Sequence, residues 1–151
     1  MKKKLMLLVM LVSFLASGFT FLSCGDSDVL ELSGTSWVYG VTKAEFAVMM
    51  GYSEATLDGL LLLAGVTIKW PLPIMKISFT SGKNFTIYSN ESVASFSATP
   101  DWQTVLSGTY TISGDSVTLT SSSTGVSETV TVNGNTLTMT SDGTTMKFKK
   151  Q

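Results

Sequence analysis

The stretch Gly108-Thr109-Tyr110-Thr111-Ile112-Ser113-Gly114-Asp115-Ser116-Val117-Thr118-Leu119-Thr120 decides the fold. Tyr110 and Ile112 alternate with hydroxyl residues, the chain turns at Ser113-Gly114-Asp115, and Val117 and Leu119 resume the alternation. Successive strand residues point to opposite faces, so period 2 on both sides of a glycine turn predicts a hairpin with one apolar face. The pattern runs on to the C-terminus. Val130 and Val132 precede the turn Asn133-Gly134-Asn135, Leu137 and Met139 precede Ser141-Asp142-Gly143, and Met146 and Phe148 follow. Asn-Gly and Asp-Gly tolerate the positive φ that hairpin tips require.

Working back toward the N-terminus, Met75, Ile77 and Phe79 alternate, turn at Ser81-Gly82-Lys83, and continue as Phe85 and Ile87. Residues 92–98 read as a weaker strand and 99–101 as a loop leading to Trp102. Val66 to Trp70 also alternates, until Pro71-Leu72-Pro73 forces a bend, because proline cannot donate to a central ladder. Residues 31–39 supply a first strand. Eight to ten short strands with short connections predict a mainly β protein, an antiparallel up-and-down barrel. A sandwich needs longer crossovers, and only 99–104 and 121–126 are long enough.

The period changes after Gly40. Thr42-Lys43-Ala44-Glu45 is a capping box, and Gly51 closes the helix it starts. Ser53 caps a second helix in which Leu57, Leu60, Leu61 and Ala64 share one face before Gly65 stops it. An αα-hairpin of about residues 43–64 is therefore inserted after the first strand. It is apolar on more sides than a surface helix, and two readings stay open: a fixed plug that completes the core, or a movable lid over a ligand cavity.

Composition removes most reaction chemistry. The 151 residues contain no His, no Arg and one Cys, so there is no imidazole base, no Ser/His/Asp or Cys/His pair, and no His-based metal site. An enzyme, a cofactor site and a metal centre are not expected. Removing Lys2, Lys3 and Lys4 with a targeting segment leaves 7 basic groups of 10 against 11 acids, a formal charge of −4. That charge and the missing guanidinium speak against a nucleic-acid partner.

The N-terminus has the order of a secretory signal: three lysines, the apolar run Leu5 to Phe21, then Leu22-Ser23-Cys24. Phe21-Leu22-Ser23-Cys24 resembles the lipobox of bacterial lipoproteins. That resemblance implies a signal peptide over 1–23, cleavage before Cys24, and acylation of Cys24 with palmitate-type chains. Buried acyl chains contribute about 0.8 kcal/mol per CH₂, so two or more hold a protein at a membrane. Residues 24–30 then form the lipidated Cys and a flexible tether, and 31–151 the barrel domain. By the same resemblance, Gly25 is not the aspartate typical of inner-membrane retention, so the bacterial outer membrane is the expected location.

Leu32-Ser33-Gly34-Thr35-Ser36-Trp37, Phe79-Thr80-Ser81-Gly82-Lys83-Asn84-Phe85, Gly108 to Asp115, Gly134-Asn135-Thr136-Leu137 and Met146-Lys147-Phe148 together resemble bacterial lipocalin-like lipoproteins. The family implies a barrel, often with an apolar cavity, that binds and does not react. The chain departs from it in two places. The lipocalin Gly-x-Trp signature carries an extra residue here, as Gly34-Thr35-Ser36-Trp37, and the helical hairpin stands near the family's long first loop.

An eight-stranded barrel is either filled by its own side chains or holds one small ligand. The expected inward set includes Ile77, Ile87, Leu106, Ile112, Leu119, Leu137 and Met146, large enough to fill it. If a ligand binds, it is a small hydrophobic molecule, and the candidate contacts are Trp37, Phe46, Met50, Leu60, Phe79, Phe85, Tyr110, Met139 and Phe148. Trp70 and Trp102 are further candidate walls. Glu128 shares parity with Val130 and Val132, so it is expected on the barrel side near a strand end. Asp101, Asp115 and Asp142 fall in turns, where aspartate is expected for backbone reasons.

Overall fold

The computed structural model describes residues 30–95, 99–141 and 143–151. The expected signal peptide, Cys24 and nearly all of the tether lie outside the described residues. Eight strands close into one antiparallel barrel in chain order: β1 (Ser36–Val41), β2 (Leu72–Thr80), β3 (Asn84–Asn90), β4 (Trp102–Ser113), β5 (Ser116–Ser121), β6 (Ser127–Asn133), β7 (Thr136–Ser141) and β8 (Thr144–Lys150), with β8 pairing back to β1. Two helices, α1 (Lys43–Met50) and α2 (Glu54–Leu63), stand between β1 and β2. The mainly β barrel with a helical hairpin after its first strand is thus the observed architecture.

Period 2 becomes register. Phe79 faces Phe85, Ile77 faces Ile87, Tyr110 faces Leu119, Val117 faces Val130 and Leu137 faces Phe148. All ten point inward and are buried, while the threonines between them form the outer face; Thr111 pairs Thr118, and Thr131 pairs Thr138. Burying a large apolar side chain contributes about 1.5–3 kcal/mol, so the inward set drives closure.

The helix signals operate as expected. Thr42 and Glu45 form the reciprocal capping box: Glu45 Oε2 accepts from Thr42 N at 2.7 Å, and Thr42 Oγ1 accepts from Glu45 N at 3.3 Å. Gly51 closes α1 at φ 76°, the left-handed region that favours glycine. Ser53 caps α2 through Thr56 N at 3.1 Å. The two helices are tied by Lys43, whose Nζ lies 2.9 Å from Asp58 and 3.9 Å from Glu54.

The two ends of the barrel differ. At one end, here the tether end, the chain arrives at Leu30, Leu32 plugs the bore, and the β2–β3, β4–β5 and β6–β7 turns gather. At the other, the hairpin end, α1 and α2 sit with the β3–β4, β5–β6 and β7–β8 connections.

Four local expectations change. Residues 66–70 form no strand; Val66, Ile68 and Trp70 pack instead beside the helices. Pro73 does lie within β2, opposite Gly40 where the β1–β2 register shifts, a place where a ladder can dispense with an N–H. The first strand begins at Ser36 and not at residue 31, because Leu32 to Thr35 form a turn, with Thr35 N donating to Leu32 O at 3.0 Å. Where a weaker strand was expected, Glu91–Ser95 is a 3-10 turn, and 96–98 lie outside the described residues. The cause is buried Asn90: its Oδ1 accepts from Ser92 N at 3.1 Å, Ser92 Oγ at 2.6 Å and Asp101 N at 3.0 Å, and its Nδ2 donates to Pro73 O at 2.7 Å.

Candidate functional site

The bore is built first. Trp37, Phe79, Phe85, Phe148, Leu32, Ile77, Leu137, Met139, Val117 and Val130 are each at most 1% exposed and belong to one apolar cluster. Side chains sealed to that degree leave no room for water beside them, so this part of the bore is packed. Phe79 and Tyr110 meet edge to face, ring centres 5.0 Å apart. At the tether end Trp37 Nε1 donates to Thr35 Oγ1 at 2.9 Å, and Thr35 Oγ1 donates to Leu32 O at 2.6 Å. This short chain satisfies the buried indole N–H and pins Leu32 in the bore.

The packing loosens at both ends of the bore: Leu30 and Ile112 at the tether end are partly buried, and so is the layer toward the hairpin. Tyr39, Met75 and Leu106 lie against the bore cluster but are only partly buried. A second apolar cluster lies beyond them: Val41 and Leu72 from the barrel mouth, Phe46 and Ala47 from α1, Leu57 and Leu61 from α2. Partly buried Ile74, Trp70 and Val93 flank it, and the Phe46 and Trp70 rings meet at a tilt with their centres 5.7 Å apart. Tyr39 belongs to both clusters, and its ring centre lies 5.6 Å from that of Phe148. The mouth is therefore an apolar junction between a packed bore and a helical cap.

Six of the nine expected ligand contacts, Trp37, Phe79, Phe85, Tyr110, Met139 and Phe148, come together in the bore. Phe46 lies under the cap, while Met50 and Leu60 face outward with Val48, Met49, Tyr52, Leu62 and Leu63. Leu61 is 8% exposed, against 82% and 86% for Leu62 and Leu63, so α2 buries one edge and offers another to solvent. No single described helix is long and apolar enough to cross a membrane; α1 and α2 reach that length only together, bent by 88°.

The three tryptophans separate. Trp37 is in the bore, Trp70 beside the cap, and Trp102 on the outer face, where Lys76 Nζ lies 4.9 Å from its ring centre and 4.4 Å from that of Tyr88. Glu128 is partly buried on β6 opposite Leu119, as its parity implies. Asp101 and Asp115 lie in connections, and their backbone carbonyls extend the neighbouring ladders: Asp101 O accepts from Glu91 N, and Asp115 O accepts from Val132 N. Asp142 lies outside the described residues. Among the described residues no group of three or more His, Cys, Asp or Glu side chains is placed to hold a metal ion.

Electrostatics at the mouth is mild. Burial raises the Tyr39 hydroxyl above its ordinary value, and the Glu45 carboxylate adds to the effect, so it is a neutral hydrogen-bonding group at neutral pH. The backbone and side-chain hydrogen bonds from Thr42 hold the Glu45 carboxyl below the usual range. Tyr110 is raised by burial, with Glu31 adding to it. Among the mouth side chains Tyr39 brings a hydroxyl to an otherwise apolar set.

Of the mouth residues Leu106 belongs to the expected inward set, whereas Tyr39 and Met75 do not. Met75 and Tyr39 share inward parity with Ile77 and Trp37, which was the signal available; their partial exposure depends on where the hairpin docks. Comparison of the chain with protein-family models, with curated proteins and with solved structures finds no match, so the reading of this site stands on its residues alone.

Proposed function

We propose that this chain is a lipid-anchored, non-catalytic binding protein of the bacterial cell envelope, and that it holds a small hydrophobic ligand at the hairpin-covered mouth of its barrel. The closed eight-stranded antiparallel barrel is compatible with a lipocalin-like fold, and the lipobox-like Ser23-Cys24 supports the anchor. The observation that carries the reading is the apolar mouth that the two helices cover. Tyr39, Met75 and Leu106 are partly buried beneath that cap. Apolar lining with one convergent polar group is the usual make-up of a small-molecule site.

Native mass spectrometry of the delipidated mature chain, with extraction of bound small molecules, tests it. A retained apolar molecule that is lost on Met75→Asp supports the mouth. A chain that carries none, and takes up none when offered a fatty acid, overturns it.

A second reading rests on the exposed outer edge of the hairpin. Val48, Leu62 and Leu63 project into solvent, which suits an envelope protein that contacts another protein through its cap while the barrel serves as a packed scaffold.

A further inference from the structure

We infer that the ligand held at the mouth is a cationic amphiphile, whose ammonium head group meets the Glu128 carboxylate on the inner wall while its apolar body lies against Met75 and Leu106 under the helical cap. The inference rests on the mouth reading above and adds to it the chemistry of the head group.

Among the described residues Glu128 is the one acid in the eight strands. Its register puts it on the inner wall. Leu119 faces it across β5 and β6, Val130 follows on the same side, and these two neighbours are 3% and 1% exposed. The β6–β7 register pairs Val130 with Met139, and continued by two residues toward the hairpin it brings Glu128 beside Ser141, where β7 ends. Glu128 and Ser141 are both partly buried. At the hairpin end, β6 and β7 therefore finish the wall with a carboxylate and a hydroxyl, whereas β1, β2 and β4 finish it with Tyr39, Met75 and Leu106. A mouth with one polar and one apolar side suits a molecule that has both.

The sign of the charge selects the head group. An ionised carboxylate above an apolar bore is poorly solvated, and a cation beside it offsets that cost. A carboxylate accepts about four hydrogen bonds, so Glu128 can take an ammonium N–H alongside its neighbours in the protein. A fatty-acid carboxylate in the same place would set two like charges together.

The surroundings have the same sign as Glu128. By chain position the hairpin end holds Glu45, Glu54 and Asp58 on the helices, Glu91 and Asp101 in the β3–β4 connection, Glu128, and Asp142 in the β7–β8 connection. Against these seven acids stand Lys43, Lys69 and Lys76. Lys43 is engaged by Asp58 and Glu54, and Lys76 lies over the Tyr88 and Trp102 rings on the outer face. At the tether end Asp26, Asp28, Glu31 and Asp115 balance Lys83, Lys147, Lys149 and Lys150. The formal charge of −4 that remains without residues 1–23 thus belongs to the end that carries the mouth. A field of that sign concentrates cations and repels anions within about 8 Å of the surface at physiological salt.

The test titrates the delipidated mature chain, carbon-13 labelled at its methionine methyls, with dodecylamine, dodecanol and dodecanoate at neutral pH, each below its micelle-forming concentration. The three share one chain and differ in head group. The expected result is that all three shift Met75 and that dodecylamine binds about tenfold more tightly than dodecanoate, with dodecanol between them. In Glu128→Gln, with its β signal in far-ultraviolet circular dichroism unchanged, most of that advantage should be gone. In high salt the wild-type chain should keep most of it, because a partly buried pair is screened less than surface charges. Equal affinity for the three, or a preference for dodecanoate, overturns the inference in the wild-type chain alone while the mouth reading stands. An amine preference that survives Glu128→Gln and vanishes in high salt assigns it to the surface acids and overturns the role of Glu128. No shift at Met75 with any of the three overturns the mouth, and the inference with it.

Discussion

Phe85 and Gly108 face each other directly across β3 and β4, and the Phe85 ring fills the space that a side chain on Gly108 would need. A Cβ built on Gly108 would lie 2.8 Å from Phe85 Cε1 and would collide with the Thr120 carbonyl oxygen of the next strand. Gly108 is thus a close-approach glycine, covered by an aromatic ring from its register partner, and together the two close the bore.

This pairing makes the first prediction. Phe85→Ala opens a void in a sealed core and is expected to lower stability by about 3–5 kcal/mol. Gly108→Ala overpacks the same site from the other side and is expected to cost about 2–3 kcal/mol. Urea denaturation measures both, and a neutral Gly108→Ala would mean that β4 and β5 can move apart here.

Asn90 is the polar counterpart at the hairpin end. Asn90→Ala strands Ser92 N, Asp101 N and Pro73 O, and an unpaired buried polar group costs about 1–3 kcal/mol. Faster hydrogen exchange confined to residues 91–101 and the start of β2 is expected. Asn90→Asp keeps the acceptor for Ser92 and Asp101 but buries a carboxylate oxygen against Pro73 O, so its loss should be large at neutral pH and shrink in acid, where the protonated oxygen can donate to Pro73 O.

How much of this was legible in the sequence follows from which contacts are local. The strands from Tyr110 to Phe148 are readable because each apolar residue pairs with one a few positions away across a short turn. The Thr42–Glu45 cap is readable because both partners lie within one helical turn. Val66 and Ile68 alternate like a strand, yet their partners are the helix-cluster residues, which no local pattern reveals. Trp102 shares parity with Leu106, but the register shift between Ile87 and Tyr88 skips Val105 and turns Trp102 outward onto Lys76. The expected ligand set likewise mixes bore and surface, because α2 is apolar nearly all round and only docking decides that Leu61 is inside and Leu60 outside.

The leucines of α2 give the third prediction. Leu61→Asp places a charge in the second apolar cluster and should undo the docking of the hairpin, seen as loss of near-ultraviolet circular dichroism from Trp70 with the far-ultraviolet β signal retained. Leu62→Asp, at an exposed position, should change stability by less than about 0.5 kcal/mol.

Acid should loosen the same hairpin. The folded Glu45 carboxyl is lowered by its bonds from Thr42, so its contribution is present above the ordinary carboxylate range and is lost as pH falls through the lowered value. The α1 backbone chemical shifts should hold from neutral to mildly acidic pH and move toward coil in stronger acid. Glu45→Gln should flatten that response, and Thr42→Ala should cost about 1 kcal/mol at neutral pH.

The methionines report on the mouth directly. Among the described residues they sit in three places: Met49 and Met50 on the outer hairpin, Met75 at the mouth, and Met139 and Met146 buried in the bore. Titrating the mature chain, labelled with carbon-13 at the methionine methyls, with palmitate measures all five at once. The predicted result is a saturable shift at Met75, with smaller shifts at Met139 and Met146 and none at Met49 and Met50. A shift led by Met139, a shift confined to Met49 and Met50, or no shift at all would contradict binding at the mouth.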